Sequence, residues 1–136
     1  MVRDKYVCVV EDKADLRFIL KRIFALSFPD YPIHLFEHGQ ALLDELVLTQ
    51  VLPTLILMDR HMPVLDGYQT LCQLKQNPAY QPVPVVMMSA DASSAEIREL
   101  FQAGANSFIR KPIEFSAQME MIAQVGQYWL QTNQNA

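Results

Sequence analysis

Two stretches of this chain are apolar over the whole length of a β-strand. One is Leu55-Ile-Leu-Met58, closed by Asp59; the other runs from Val83 to Met88, with Pro84 near its start, where a missing N–H is tolerable. A strand that alternates polar with apolar residues can leave one face in water; a continuous run must be covered on both faces. That requirement points to a parallel sheet with helices packed above and below it.

The remaining sequence supplies those helices. Lys5 to Val10 reads as a first strand, closed by Glu11 and Asp12. Leu16, Ile19, Leu20, Ile23 and Phe24 then recur with helical spacing until Pro29 and Pro32. Ile33–Phe36 is a short second strand, and Gly39 opens a helix carrying Leu42, Leu43, Leu46 and Val47. After the central strand, a third helix is predicted over Gly67–Gln76, ended by Asn77-Pro78. Ser93-Ser-Ala-Glu96 has the form of a capping box before a helix with Ile97, Leu100 and Phe101, and Gly104 marks its end. Ser107–Arg110 is a fifth strand, and Lys111-Pro112 leads into a last helix. There Phe115, Met119, Ile122, Gly126 and Trp129 share a face, and a polar tail, 132–136, is expected to fray. Strand and helix thus alternate five times. Parallel strands need crossovers of this length, so the expected class is α/β, a doubly wound five-stranded parallel sheet forming a single domain over 1–136.

Composition excludes several functions. A net charge of −4 argues against a nucleic-acid partner, whose binding face would be basic. No apolar run approaches the roughly 20 residues that span a bilayer, and the N-terminus enters strand-like sequence without signal-peptide architecture, so a cytoplasmic protein without a membrane partner is expected. Cys8 and Cys72 lack metal-ligand spacing and read as core-filling thiols in a reducing compartment.

In an open α/β sheet, ligands bind in the crevice at the carboxyl ends of the strands. The residues there are Glu11 and Asp12, then Asp59, Ser89, and finally Phe108 and Lys111. Carboxylates brought together repel, and hard oxygen donors without Cys or paired His favour Mg²⁺. Phosphoryl transfer needs a nucleophile, a metal and donors for the developing charge. Asp59, Ser89 and Lys111 are suited to the first and last of these roles.

The acidic pair Glu11-Asp12, the run Asp59-x-x-Met62-Pro63-x-x-Asp66-Gly67, the strand-end Ser89-Ala90 and the dipeptide Lys111-Pro112 resemble the receiver domain of bacterial two-component response regulators. The resemblance covers Tyr6 to Leu130. Within the family, the stand-alone length and the terminal Tyr128-Trp129-Leu130 are similar to phytochrome-associated single-domain receivers. It implies a flavodoxin-like strand order 2-1-3-4-5 and phosphoryl transfer to Asp59 from a sensor histidine kinase, of the phytochrome type, or from a small phosphodonor. It also implies Mg²⁺ held by Glu11, Asp12, Asp59 and the backbone carbonyl of His61, with Lys111 pairing to the aspartyl phosphate. Ser89 and Phe108 would act as the switch that repacks the face of the fourth helix, fifth strand and fifth helix. A downstream protein target, a phosphotransfer protein or a second copy of the chain would read that face, on which Ile97, Leu100 and Phe108 are candidates. The Lys111–Pro112 bond is expected to be cis.

Other positions have plainer readings. Asp66 caps the third helix and Gly67 supplies backbone freedom. Ser89 and Phe108 stand where Thr and Tyr are commoner, and Phe108 loses a hydroxyl. Arg60 stands where an apolar residue is usual; it either folds back over the site or lies in solvent, and solvent is the expectation. His61 and Asp91 flank the site and are candidates for tuning dephosphorylation; His34 and His38 are expected to be ordinary positions. Two rival functions are a phosphorylation-independent interaction module and a Mg²⁺-dependent phosphatase. The first usually lacks part of the acid, Asp and Lys set, which is intact here. The second wants a carboxylate two residues after Asp59, where His61 stands.

Overall fold

A computed structural model of the chain describes residues 5–133. Five strands, β1 (Val7–Val10), β2 (Ile33–Phe36), β3 (Leu55–Asp59), β4 (Val85–Ser89) and β5 (Ser107–Arg110), form one sheet in the order β2-β1-β3-β4-β5, every pair parallel. The helices are α1 (Ala14–Ser27), α2 (Gly39–Leu48), α3 (Gly67–Gln76), α4 (Ser94–Gln102) and α5 (Phe115–Gly126). The doubly wound parallel sheet and its 2-1-3-4-5 order are as expected from the sequence.

The two-residue period of the strands divides the core into two layers. Val7, Val9, Leu55, Leu57, Val86 and Met88 point to one side, where Leu20, Ile23 and Phe24 of α1 and Met121, Ile122 and Val125 of α5 cover them. Cys8, Val10, Ile56, Met58, Val85 and Met87 point to the other, against Leu42 and Leu46 of α2, Leu71 and Leu74 of α3 and Leu100 of α4. Both apolar runs are therefore buried on both faces, with every residue of β3 and β4 buried. Cys8 lies in this core, and burial pushes its thiol up to about 12, so it packs without reacting.

Three of the five α-helix starts are set by side chains. Asp66 and Gln69 form a complete capping box at α3, and Ser93 and Glu96 form another at α4. His38, expected to be an ordinary position, caps α2: its Nδ1 accepts from the Ala41 N–H at 3.1 Å. Gly104, at φ 109°, closes α4 in the left-handed region that glycine tolerates.

Helix α5 differs from its expected face. Phe115 is more than half exposed and Met119 partly so, while Gln118, Met121, Ile122, Val125 and Gly126 are buried. Gln118 takes a core position because its amide nitrogen donates to the Pro112 and Ile113 carbonyls, at 3.2 and 3.4 Å, satisfying the turn that enters the helix. Beyond Gly126 the chain widens into a π-type turn, Gln127–Thr132, in which the Asn133 N–H donates to the Tyr128 carbonyl. It places the Leu130 carbonyl 2.9 Å from the Tyr31 hydroxyl that donates to it. Thr132 is thus part of ordered structure, and 134–136 of the expected frayed tail lie outside the described residues. Among the described residues, no helix is long and apolar enough to cross a membrane.

Candidate functional site

The sheet brings the predicted residues to one edge. Asp59 and Ser89 are the last residues of β3 and β4, Glu11 follows β1 and Lys111 follows β5. The edge is held by main-chain bonds: Arg60 N–H donates to the Met88 carbonyl at 2.8 Å and Lys111 N–H to the Ser89 carbonyl at 3.0 Å. Lys111 then reaches across the sheet. Its Nζ lies 2.6 Å from Glu11 Oε1 and donates to Asp59 Oδ2 at 3.1 Å. One carboxylate oxygen from each of Glu11, Asp12 and Asp59 lies within 4.8 Å of the others. Glu11 and Asp59 are buried, and Asp12 is exposed at the rim.

The electrostatics of this cluster are unbalanced. Burial, and after it the Asp59 charge, push the Glu11 carboxyl up against the hydrogen bond and charge of Lys111, and the net effect raises it from 4.5 to about 7. Burial alone would lower the Lys111 ammonium, but its bond to Glu11 and the charges of Asp59 and Glu11 outweigh burial and raise it. Glu11 Oε2 accepts from the Lys13 N–H at 3.2 Å, whereas the buried Oε1 has no well-aligned hydrogen bond beyond its close ion pair with Lys111. Three carboxylates against a single ammonium, all hard oxygen donors, suit a small divalent cation such as Mg²⁺. Arg17 steadies the acidic loop from α1, donating to the Glu11 and Asp12 carbonyls at 2.7 and 3.0 Å. Sequence reasoning missed that role, since periodicity marks Arg17 only as a polar position of α1.

Ser89 is buried, and its hydroxyl donates to Asp91 Oδ1 at 3.2 Å while accepting from the Asp91 N–H at 3.3 Å. The same Asp91 oxygen lies 3.4 Å from His61 Nε2, with both side chains mostly in water. His61, Asp91 and Ser89 therefore form a chain along the rim of the site. Phe108 is half-buried against the α2–α3–α4 layer, and the Arg110 guanidinium lies 6.0 Å above its ring. Arg110 also donates to the carbonyls of Ala90 and Ala92, both at 3.2 Å, joining β5 to the loop that follows Ser89. Of the candidate surface residues on α4 and β5, Leu100 is wholly buried and belongs to the core.

Three expectations need correction. Arg60 is not in solvent: its side chain is 14% exposed, folded between Asp66, Glu96 and the Tyr68 ring. The Lys111–Pro112 bond is trans, as all described peptide bonds are. The trans form is the intrinsically preferred one, and the Ser89 carbonyl with the two carboxylates already orients Lys111. Gly67 is not in a left-handed conformation. A Cβ there would stand 2.2 Å from the Asp59 carbonyl oxygen and 2.8 Å from Arg60 Cα, so close packing of α3 on the end of β3 requires glycine. The strained residue of the loop is instead Val64, at φ 68°, in a tight turn where the Leu65 N–H donates to the Pro63 carbonyl at 2.8 Å.

The response regulator receiver domain, as a family model, matches residues 7–123. The chain belongs to that family. Among curated relatives, the probable methanogenesis regulatory protein FilR2 of Methanothrix harundinacea is 27% identical over 133 residues, covering 95% of this chain and 86% of its own length. The response regulator Rcp1 of Synechocystis is 26% identical over 134 residues, covering 94% and 90%. Among solved structures, the phosphorylated cyanobacterial phytochrome response regulator RcpA superposes with a TM-score of 0.89 at 23% identity, covering 96% of each chain. The Mn²⁺-bound form of Rcp1 superposes at 0.88 and 23% identity, covering 97% of this chain and 99% of its own. These likenesses establish the receiver fold, a signalling module of two-component systems, for this chain.

Proposed function

We propose that this receiver, a single unit spanning the chain, accepts a phosphoryl group on Asp59 in a Mg²⁺-dependent reaction and passes the change to a protein partner. The observation that carries the reading is Lys111, whose ammonium bridges Glu11 and Asp59 at 2.6 and 3.1 Å. It neutralises part of the carboxylate charge and would stay beside the carboxylate that becomes the acyl phosphate. Lys111 holds Asp59 Oδ2, which supports Oδ1 as the attacking oxygen. Attack on a phosphohistidine forms the O–P bond and breaks the P–N bond, and the imidazole nitrogen keeps the electron pair. Ser89, freed from Asp91, would donate to a phosphoryl oxygen. Glu11, Asp12 and Asp59, with the His61 carbonyl, would hold Mg²⁺, which when bound supplies positive charge to the transferring oxygens. The chain would catalyse only its own phosphorylation and dephosphorylation, with His61 and Asp91 at the rim tuning the lifetime of the phosphate.

The donor would be a sensor histidine kinase, and the likeness to RcpA, a phytochrome response regulator, supports a phytochrome-type one. The output face would be that of α4, β5 and α5, contacted by a downstream target, a phosphotransfer protein or a second copy. Ser89 and Phe108 would be its switch. The complete set of Glu11, Asp12, Asp59 and Lys111 in contact speaks against a phosphorylation-independent module.

The test is incubation with Mg²⁺ and acetyl phosphate, followed by intact mass, alongside Trp129 fluorescence on addition of beryllofluoride. The expected result is a single phosphoryl adduct in wild type and none in Asp59→Asn. An unmodified wild type, or equal modification of the variant, would overturn the reading.

A further inference from the structure

Arg60 directly follows the phosphoacceptor, and its guanidinium joins the starts of two helices. Nη1 lies 3.8 Å from Asp66 Oδ2, and Nη2 lies 3.6 Å from Glu96 Oε2. Each of these carboxylates divides its oxygens between two tasks. Asp66 Oδ1 accepts from the Gln69 N–H at 2.8 Å within the α3 capping box, leaving Oδ2 for Arg60. Glu96 Oε1 accepts from the Ser93 N–H at 2.9 Å within the α4 capping box, leaving Oε2 for Arg60. The Tyr68 ring, 5.8 Å from the guanidinium carbon, closes the third side.

The main chain of Arg60 is fixed by its N–H bond to Met88 and by the bond its carbonyl accepts from Gly67. A change at Asp59 is therefore transmitted past this point by the side chain more readily than by the backbone. Neither ion pair is tight, and the buried Nε has no hydrogen-bond partner, so the guanidinium is held without being fully satisfied. Glu96 keeps 31% of its side chain in water and can release Arg60 at small cost.

We infer that Arg60 is a positioning residue that couples the charge state of Asp59 to the N-terminus of α4, through competition between Glu96 and an anion on Asp59 for one guanidinium. The inference rests on the proposed phosphoryl acceptance. A phosphoryl group would add close to two negative charges on the residue that directly precedes Arg60. It draws Arg60 from Glu96 and loosens the first turn of α4. Linkage makes the effect reciprocal: removing the Glu96 charge frees Arg60 for the anion.

Glu96→Gln is the informative variant, because Gln at this position preserves the capping box while deleting the charge. With beryllofluoride and Mg²⁺ as the probe, Glu96→Gln is expected to bind about threefold more tightly than wild type. In an Arg60→Met background the same substitution should change nothing. Amide exchange at Ile97, whose N–H donates to the Ser93 carbonyl at 3.0 Å, should accelerate on beryllofluoride binding in wild type and stay constant in Arg60→Met. A purely structural Arg60 would shift stability alone and leave this ligand-dependent difference unmoved. Equal affinity of Glu96→Gln and wild type, or an equal gain with and without Arg60, would overturn the coupling while leaving phosphoryl acceptance standing. Failure of the wild type itself to bind beryllofluoride would overturn both.

Discussion

Glu11 is the residue on which the metal-free site should work against folding. Its carboxyl is fully buried, and its pKa rises from 4.5 to about 7 despite the adjacent ammonium. At low pH, below 4.5, Glu11 is protonated in both folded and unfolded chains and contributes nothing. As pH rises toward 7, the unfolded chain loses its proton while the folded one keeps it, so stability falls across that window and levels off above it. The difference is on the order of 3 kcal/mol, at about 1.4 kcal/mol per pH unit. Glu11→Gln, which cannot ionise, should therefore match wild type near pH 4 and exceed it at pH 8 by on the order of 2–3 kcal/mol. Urea unfolding with EDTA at several pH values, followed by far-UV circular dichroism, measures both curves. Millimolar Mg²⁺ should raise the wild type at pH 8 and leave the variant little changed, because a cation binds the ionised carboxylate. A Glu11→Gln variant less stable than wild type at pH 8, or a stability difference independent of pH, would refute the reasoning: Lys111 would then more than compensate the burial of Glu11.

Other outcomes follow from single contacts. Mg²⁺ affinity, measured by Trp129 fluorescence titration, should fall roughly tenfold per pH unit below 7 as the cation comes to displace a proton from Glu11. Gly67→Ala should destabilise by about 1–3 kcal/mol in urea unfolding, since its Cβ would meet the backbone of Asp59 and Arg60 rather than a yielding side chain. Val64→Gly should stabilise by about 1 kcal/mol, because glycine adopts φ 68° without the side-chain clash. Tyr31→Phe should cost about 1 kcal/mol through the lost bond to the Leu130 carbonyl, read from the thermal midpoint.

What the sequence reveals of this molecule is whatever a periodic or strand-end signal can carry. The continuous run Leu55–Met58 demanded cover on both faces, and the two-layer core meets that demand. Because parallel strands align their carboxyl ends, knowing where each apolar run stops was enough to gather Glu11, Asp59, Ser89 and Lys111 at one edge. Quantities set by side-chain pairing across loops were not legible. Gln118 has no place on the apolar face read from the sequence, yet it is buried because the carbonyls of Pro112 and Ile113 take its amide. That exchange rotates α5 and leaves Phe115 outside. Gly67 looks like a turn glycine because turns and close helix–strand contacts favour the same residue; what distinguishes them is that a Cβ here would stand only 2.2 Å from the Asp59 carbonyl oxygen. Nothing in the sequence decides between solvent and a folded-back Arg60, yet two capping carboxylates each keep an oxygen free, and a guanidinium is the group whose planar fork can face both. The elements come from hydropathy and the site from topology. The side chains joining the site to its neighbouring helices come from unsatisfied oxygens, which neither signal records.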